Sequence, residues 1–204
     1  VSITGLTPPY DAKLMPGINH WRLGRNGDPL SKLEEFHALL RVCGDRCALA
    51  LMKFCYVDIT RETKPQELFS RYLEELGKSH KRFPSLRIAH VTVPLQTLGH
   101  GFRSRLARVG RLKSTACEAN FVRERFNHLM RERVAAEGFL FDLAALESRL
   151  PHGDLCAVPY RGRVVPGLNS AYASDDGHLN LAGRAIIAER FLRFLGLVTV
   201  GGDQ

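Results

Sequence analysis

Apolar side chains recur along the chain in two ways, as stripes at helical spacing and as short continuous runs. The first stripe begins after Asp28 and Pro29, which together predict a helix start because aspartate caps helices and proline suits their first position. Its members are Leu30, Leu33, Phe36 and Leu40. A second helix is predicted to open at Pro65, with a stripe made of Leu68, Phe69, Tyr72, Leu73 and Leu76. Continuous apolar runs at 48–59 and 86–93 predict strands covered on both faces.

The second half of the chain continues this alternation. A helix is predicted over 118–137, with Phe121, Phe126, Leu129 and Met130 facing inward, and a short strand over 139–141. Residues 151–173 are rich in proline and glycine and predict a loop or a hairpin. A last helix is predicted over 181–195, with Asn180 as its cap.

Strands that alternate with helices predict a single α/β domain over residues 1–204, a three-layer sandwich with a mostly parallel sheet. No repeat or linker divides the chain. Ligands of such folds collect at the carboxyl ends of the strands, so functional residues are expected in the loops at that edge.

The composition is that of an ordinary globular protein, with 45% hydrophobic and 25% charged residues. No apolar run approaches the roughly 20 residues that cross a bilayer, and no signal-peptide pattern opens the chain. Much of the net charge of +8 comes from the segment 102–113, through Arg103, Arg105, Arg108, Arg111 and Lys113. Because no stacking aromatics accompany these charges, they favour a solvated loop or an active-site flap and disfavour nucleic acid or a membrane as partner.

The cysteines argue against a zinc ribbon, because there are five of them and no Cys-x-x-Cys pair occurs. Cys43 and Cys47 could form a disulfide in an exported protein, but spacing alone does not establish the close approach that a bridge needs. An exported and a cytoplasmic location therefore both stay open.

The most distinctive motif occupies 174–180, directly before the last predicted helix. Asp175 precedes His178 by three residues on a turn that Gly177 loosens, so the carboxylate can reach the imidazole. Such a pair fixes the tautomer of a histidine base and stabilises its protonated form. The alternative is a polar helix cap, in which Asp175 or Asp176 only accepts backbone N–H groups.

Asp175, His178, Asn180 and Gly183 resemble the closing motif of the SGNH/GDSL hydrolases. This resemblance implies a flavodoxin-like α/β sheet and a Ser-His-Asp arrangement. In that arrangement His178 would be the general base and Asp175 its orienting acid. The family needs no cofactor, and we predict none for this chain.

A second block of the same family places a glycine after a strand, where its N–H stabilises the oxyanion. Gly27 fits this place, with Asn26 beside it and Gly24 as the alternative. A glycine lets the backbone approach a developing charge closely. The same residues also fit an ordinary turn that leads into a capped helix.

Two other blocks depart from the family pattern. The third block, at 53–58, keeps Asp58 but lacks the usual Gly and Asn, so that Tyr56 or Lys53 would have to substitute as a donor. The first block, with the nucleophilic serine, has no counterpart in 1–26. In this fold the first strand lies inside the sheet, and its loss would leave buried backbone groups unpaired at about 1–3 kcal/mol each. We therefore expect an amino-terminal segment to be absent; a strand from another chain and a wrong alignment are the alternatives.

The remaining candidates are less specific. Asp58 and Asp142 follow strands and could hold a metal together with Asp175 and His178, but their spacing is not diagnostic, and we predict no metal. Asn120, Arg123 and Asn127 lie at helical spacing, where they could join the rim of the site or anchor the long helix. His20 and His90 fit ordinary packed positions better than a site, whereas Thr92 at the end of its strand could equally contact substrate.

The predicted function is ester hydrolysis or acyl transfer on a small-molecule or glycan ester, such as an O-acetylated carbohydrate. The alternative is a non-catalytic α/β binding domain that takes part in polysaccharide handling. The missing serine and the altered third block favour that alternative. The sequence does not indicate an oligomeric state.

Overall fold

A computed structural model describes residues 3–6, 14, 16–98, 115–134 and 139–200. The strands in this part of the chain are β1 (Ile3–Leu6), β2 (Ile18–Trp21), β3 (Leu49–Met52), β4 (Arg87–Val91), β5 (Leu140–Phe141), β6 (Ala157–Tyr160) and β7 (Arg163–Pro166). The α-helices are α1 (Pro29–Cys43), α2 (Pro65–Arg82), α3 (Thr115–Val134), α4 (Leu143–Glu147) and α5 (Leu181–Val200). The basic segment at 102–113 lies outside the described residues.

The central sheet is parallel, with the strand order β3-β4-β5. Leu49 pairs with Arg87 and Met52 with His90 across the first two strands, and His90 pairs with Leu140 across the next two. β1 and β2 form a second parallel pair, while β6 and β7 form an antiparallel hairpin. The predicted α/β fold with a mostly parallel sheet is confirmed.

Helices cover both faces of the central sheet. One face contributes Ala50, Met52 and Ile88 to the larger core, together with side chains of α1, α2 and α3 that include Phe36, Phe69 and Phe126. The other face contributes Leu51, Val91 and Phe141, which pack against Ile187, Phe191 and Phe194 of α5. Because side chains alternate across a strand, these two cores produce the three predicted layers.

Both predicted helix caps form. Asp28 accepts the Ser31 N–H at 3.1 Å and precedes the proline that opens α1. Asn180 accepts the Gly183 N–H at 2.9 Å at the start of α5. The second cap fixes where the motif at 174–180 ends and the helix begins.

The prediction of one strand over 48–59 is wrong beyond Met52. The chain leaves β3 there and makes a 3-10 turn at Tyr56–Asp58. Phe54 and Ile59 are nevertheless buried, because a loop that crosses the end of the sheet places apolar side chains in the same core. Leu30 was also predicted to be inside and is 46% exposed. The short helix α4 was not predicted.

Cys43 is buried at the end of α1, Cys47 follows it half-buried, and both are free thiols in this structure. No helix within the described ranges is long and apolar enough to span a membrane.

Candidate active site

Asp175 and His178 are joined within one tight loop that precedes α5. The two carboxylate oxygens of Asp175 lie 2.9 and 2.8 Å from His178 Nδ1. Asp175 Oδ1 also accepts the backbone N–H groups of Gly177 and His178, each at 2.8 Å. The Gly177 N–H, then the imidazole, and then the His178 N–H hold the pKa of Asp175 below its usual range. The carboxylate is therefore ionised at neutral pH and orients the ring.

The loop itself is held by other bonds. The Ser174 N–H and hydroxyl both donate to the His178 carbonyl, at 2.8 and 3.1 Å. The Asn180 side chain caps α5 and donates to the Ala171 carbonyl at 2.8 Å. Since Asn180 caps the helix, the carboxylate of Asp175 is not spent on that cap and holds the imidazole instead.

The imidazole of His178 faces solvent, with 60% of its side chain exposed. Its Nδ1 is engaged by Asp175, which leaves Nε2 as the nitrogen that can accept a proton. A histidine held in this way can act as a general base toward a molecule that approaches from solution.

Tyr56 forms one wall beside this histidine. Its ring meets the His178 ring edge-on, with centroids 5.7 Å apart and planes at 79°. The ring also lies over Gly177, where a Cβ atom would come 2.8 Å from Tyr56 Cδ1 and closer still to two other ring atoms. The structure thus brings the third-block residue Tyr56 to the closing motif, and only glycine fits between them.

Asp58 connects the second and third blocks from inside the protein. Its Oδ1 accepts the Gly27 N–H at 2.8 Å, and its Oδ2 accepts the Cys55 N–H at 2.6 Å and Lys32 Nζ at 2.7 Å. The Asp58 side chain is 0% exposed. The carboxylate is therefore enclosed by three donors and holds two loops together, and a substrate-binding role for Asp58 stays a prediction.

The candidate oxyanion donors have partners in this structure. The Gly27 N–H donates to Asp58, and the Gly24 N–H donates to Glu35 Oε2 at 2.8 Å. Asn26 accepts Lys32 Nζ through its side-chain oxygen at 3.0 Å. The roles of Gly27, Asn26 and Gly24 stay predictions. For either glycine to act as an oxyanion donor, the oxyanion has to share its N–H with the carboxylate oxygen that now accepts it, or replace that oxygen.

The segment that follows β4 forms the other side of the histidine loop. The Thr97 N–H donates to the Asp176 carbonyl at 2.9 Å, and the Thr97 hydroxyl donates to Asp176 Oδ1 at 3.3 Å. Asp176 directly follows Asp175, so this contact fixes the start of the loop that carries Asp175 and His178. Thr97 carries no local sequence signal, because its contact with Asp176 spans 79 residues.

Three polar residues of α3 point inward rather than to solvent. Asn120, Arg123 and Asn127 are 0%, 2% and 0% exposed. Asn127 bonds both backbone groups of Val93, at 2.7 and 3.0 Å. The helical spacing of these three polar residues was the signal for this buried row, and the structure shows them anchoring the helix.

The other candidates do not converge on the site. Asp142 is paired with Arg131 at 2.7 Å and caps α4. His90 is buried in the sheet with its Nδ1 2.7 Å from the Tyr72 hydroxyl. Lys53 is exposed, and its Nζ lies 3.4 Å from the Phe54 carbonyl. No group of three or more His, Cys, Asp or Glu side chains suited to a metal occurs among the described residues.

Comparison with solved structures shows that this fold has known counterparts. A Bacteroides fragilis protein described as an acylhydrolase aligns over 89% of this chain and 75% of its own, with a TM-score of 0.57 and 13% identity. A GDSL-like lipase from Bacteroides thetaiotaomicron aligns over 88% and 75%, with a TM-score of 0.53 and 12% identity. The chain has a GDSL-like hydrolase fold. A Streptococcus pneumonia protein described as a platelet activating factor also aligns, over 95% and 81%, with a TM-score of 0.54 and 16% identity.

No protein-family model and no curated protein matches the sequence. At these identities the likeness establishes the GDSL-like fold and leaves the chemistry to the residues of this chain.

Proposed function

We propose that this GDSL-like domain hydrolyses esters or transfers acyl groups, with His178 as the general base and Asp175 as its orienting acid. One observation carries the proposal: both oxygens of Asp175 engage Nδ1 of an imidazole whose side chain is 60% exposed, which leaves Nε2 as the nitrogen that can accept a proton. The neighbouring loops, which carry Tyr56 and Thr97, hold this pair at one edge of the domain.

The reaction follows from that geometry. A hydroxyl oxygen of the enzyme attacks the ester carbonyl and forms the acyl-enzyme bond. As it attacks, its proton passes to His178 Nε2, and Asp175 stabilises the imidazolium. The electron pair of the carbonyl moves onto its oxygen, which N–H groups of the glycine turn would stabilise. When the tetrahedral species collapses, the alcohol leaves with the proton from Nε2. Water, or an acceptor alcohol in acyl transfer, then repeats these steps on the acyl-enzyme.

An O-acetylated carbohydrate is the substrate class that we propose. The 60% exposure of the His178 side chain supports it, because a bulky alcohol can reach an imidazole on an open rim. The measurement is acetate release from an acetylated glycan compared with release from a small acetyl ester.

The test of the base uses the full-length protein and an activated acetyl ester. Replacing His178→Ala should abolish turnover and leave the fold intact. His152→Ala is the matched control, because His152 forms a similar exposed pair with Asp154 at 3.1 Å. Unchanged turnover in His178→Ala would remove the histidine from the reaction.

A fluorophosphonate probe identifies the nucleophile directly. It should label one hydroxyl residue in the full-length protein, and mass spectrometry of the labelled peptide gives its position. Labelling should disappear in His178→Ala, since the base activates the hydroxyl.

A non-catalytic binding domain is the second candidate. It is favoured by the carboxylate partners of the Gly24 and Gly27 N–H groups, which occupy the donors that an oxyanion needs. A folded protein that binds a glycan in calorimetry, takes no probe and releases no acetate would establish this function instead.

A further inference from the structure

Arg123 is a charged residue in the interior of the domain. It lies in the middle of α3 and is 2% exposed. Burial lowers its pKa to about 10, so the guanidinium remains charged at neutral pH. Taking a charge out of water is costly unless hydrogen bonds compensate. The partners that do so identify which parts of the fold depend on this residue.

One set of bonds reaches the third-block loop. Arg123 Nε donates to the Tyr56 carbonyl at 2.9 Å and to the Ile59 carbonyl at 3.0 Å. The guanidinium carbon also lies 5.6 Å from the centroid of the Tyr56 ring. Arg123 thus fixes both the backbone and the ring of Tyr56, which is the side chain packed against His178 and Gly177.

A second set reaches the segment after β4. Arg123 Nη1 donates to Gln96 Oε1 at 3.0 Å and to Asn120 Oδ1 at 2.7 Å. Asn120 in turn accepts the Gln96 N–H at 3.0 Å and donates to the Gln96 carbonyl at 2.7 Å. The next residue is Thr97, which holds Asp176.

We infer that Arg123 is a positioning residue for the Asp175–His178 pair, because its planar fork joins the two loops that flank the histidine loop. The expected effect on kcat rests on the proposed function. The expected effect on the position of the His178 loop rests on the geometry alone. Arginine suits the task, since its guanidinium presents donors in several fixed directions, whereas lysine carries one ammonium group.

The experiment compares the same substitution at two arginines of α3, the buried Arg123 and the half-buried Arg131. Arg123→Gln removes the fork between the loops. Arg131→Gln is the matched control: Arg131 lies on the same helix and binds Asp142 and Glu124, outside both loops. In the full-length protein, NMR reports the His178 imidazole carbons, assigned with His178→Ala, and the Gly177 and His178 amides. Esterase kinetics are measured on the same samples.

We expect the His178 and Gly177 resonances to move in Arg123→Gln and to stay in place in Arg131→Gln. We also expect kcat to fall about tenfold to a hundredfold in Arg123→Gln, with KM changed less than about threefold, because a misplaced base impairs the chemical step. If Arg123→Gln does not fold, Arg123→Lys serves in its place, since it keeps the charge and cannot span both loops.

Wild-type His178 resonances in a folded Arg123 variant would overturn the inference, and so would equal shifts in Arg131→Gln. The NMR result stands without any turnover. A protein with no esterase activity but with the predicted shifts would refute the proposed function and retain the positioning role.

Discussion

Lys32 and Asp58 form a buried ion pair that locks the second-block turn to the third-block loop. Lys32 Nζ lies 2.7 Å from Asp58 Oδ2, and the two side chains are 7% and 0% exposed. The pair is satisfied on both sides, since Asp58 also accepts two backbone N–H groups and Lys32 also donates to Asn26. Each charge therefore depends on the other to remain in the interior.

Replacing Lys32→Met should lower the free energy of unfolding by about 3–5 kcal/mol, because it leaves the Asp58 carboxylate buried without its counter-charge. Urea denaturation measures the loss. Arg25→Met is the matched control, since Arg25 pairs with Asp28 on the surface with 82% of its side chain exposed, and such pairs contribute about 0–1 kcal/mol. Equal losses in the two variants would contradict the interpretation of Asp58 as the tie between the loops.

Gly177 has to be glycine because the Tyr56 ring occupies the space of a side chain. Gly177→Ala should lower the free energy of unfolding by about 1–3 kcal/mol, as expected for overpacking. It should also reduce esterase turnover, since the ring or the His178 loop must move. Thermal unfolding and initial rates measure these effects.

Gly77→Ala provides the control for this substitution. Gly77 lies in α2, and nothing lies within 4 Å of the place where its Cβ would be. Alanine there should stabilise the protein by about 0.5–1 kcal/mol, because it favours a helix more than glycine does. A Gly177→Ala variant as stable and as active as Gly77→Ala would show that Tyr56 moves aside without cost.

The parts of the site that sequence reasoning reached are local. Asp175 and His178 are three residues apart, so one turn decides whether they meet, and the residue types in that turn indicate it. Arg123 and Tyr56 are 67 residues apart in the chain. No spacing rule connects them, because their contact depends on how α3 packs across the end of the sheet.

The same limit explains the strand that was predicted too long. A run of apolar residues indicates burial, and Met52, Phe54 and Ile59 within 48–59 are buried. It does not say whether the backbone stays extended. The Asp58 carboxylate accepts the Cys55 N–H and thereby stabilises the turn at 56–58. The hydrophobic pattern does not predict this hydrogen bond.

His90 should make the protein sensitive to acid. Burial in the sheet lowers the pKa of His90 from 6.5 to about 4, so below pH 6.5 the unfolded chain gains a proton that the folded chain does not. The contribution of His90 to the free energy of unfolding is therefore complete above about pH 6.5. It falls by about 3 kcal/mol in total as the pH drops toward 4.

His90→Gln removes this titration while its amide can still bond the Tyr72 hydroxyl. Urea denaturation from pH 4 to 8 should therefore show the difference in unfolding free energy between wild type and variant shrinking as the pH falls. The exposed His152→Gln is measured over the same range as the control. A constant difference between wild type and His90→Gln would mean that His90 titrates normally.

Glu147 should make the protein less stable as the pH rises, which is opposite to the effect of His90. It is 2% exposed at the end of α4, and the Leu95 N–H donates to its Oε1. Burial raises the pKa of Glu147 from 4.5 to about 8, more than the Leu95 N–H lowers it. The folded protein therefore holds a proton that the unfolded chain has released. This contribution to stability is complete below about pH 4.5 and is lost as the pH rises to about 8.

Glu147→Gln keeps an acceptor for the Leu95 N–H and cannot ionise. Relative to this variant, the wild type should lose several kcal/mol of unfolding free energy between pH 4.5 and 8. Denaturation curves across that range measure the loss, with the exposed Glu189→Gln as control. Because His90 and Glu147 shift stability in opposite senses between pH 4.5 and 6.5, only the single variants separate them. Parallel curves for wild type and Glu147→Gln would show that the carboxyl ionises within the fold at its ordinary pH.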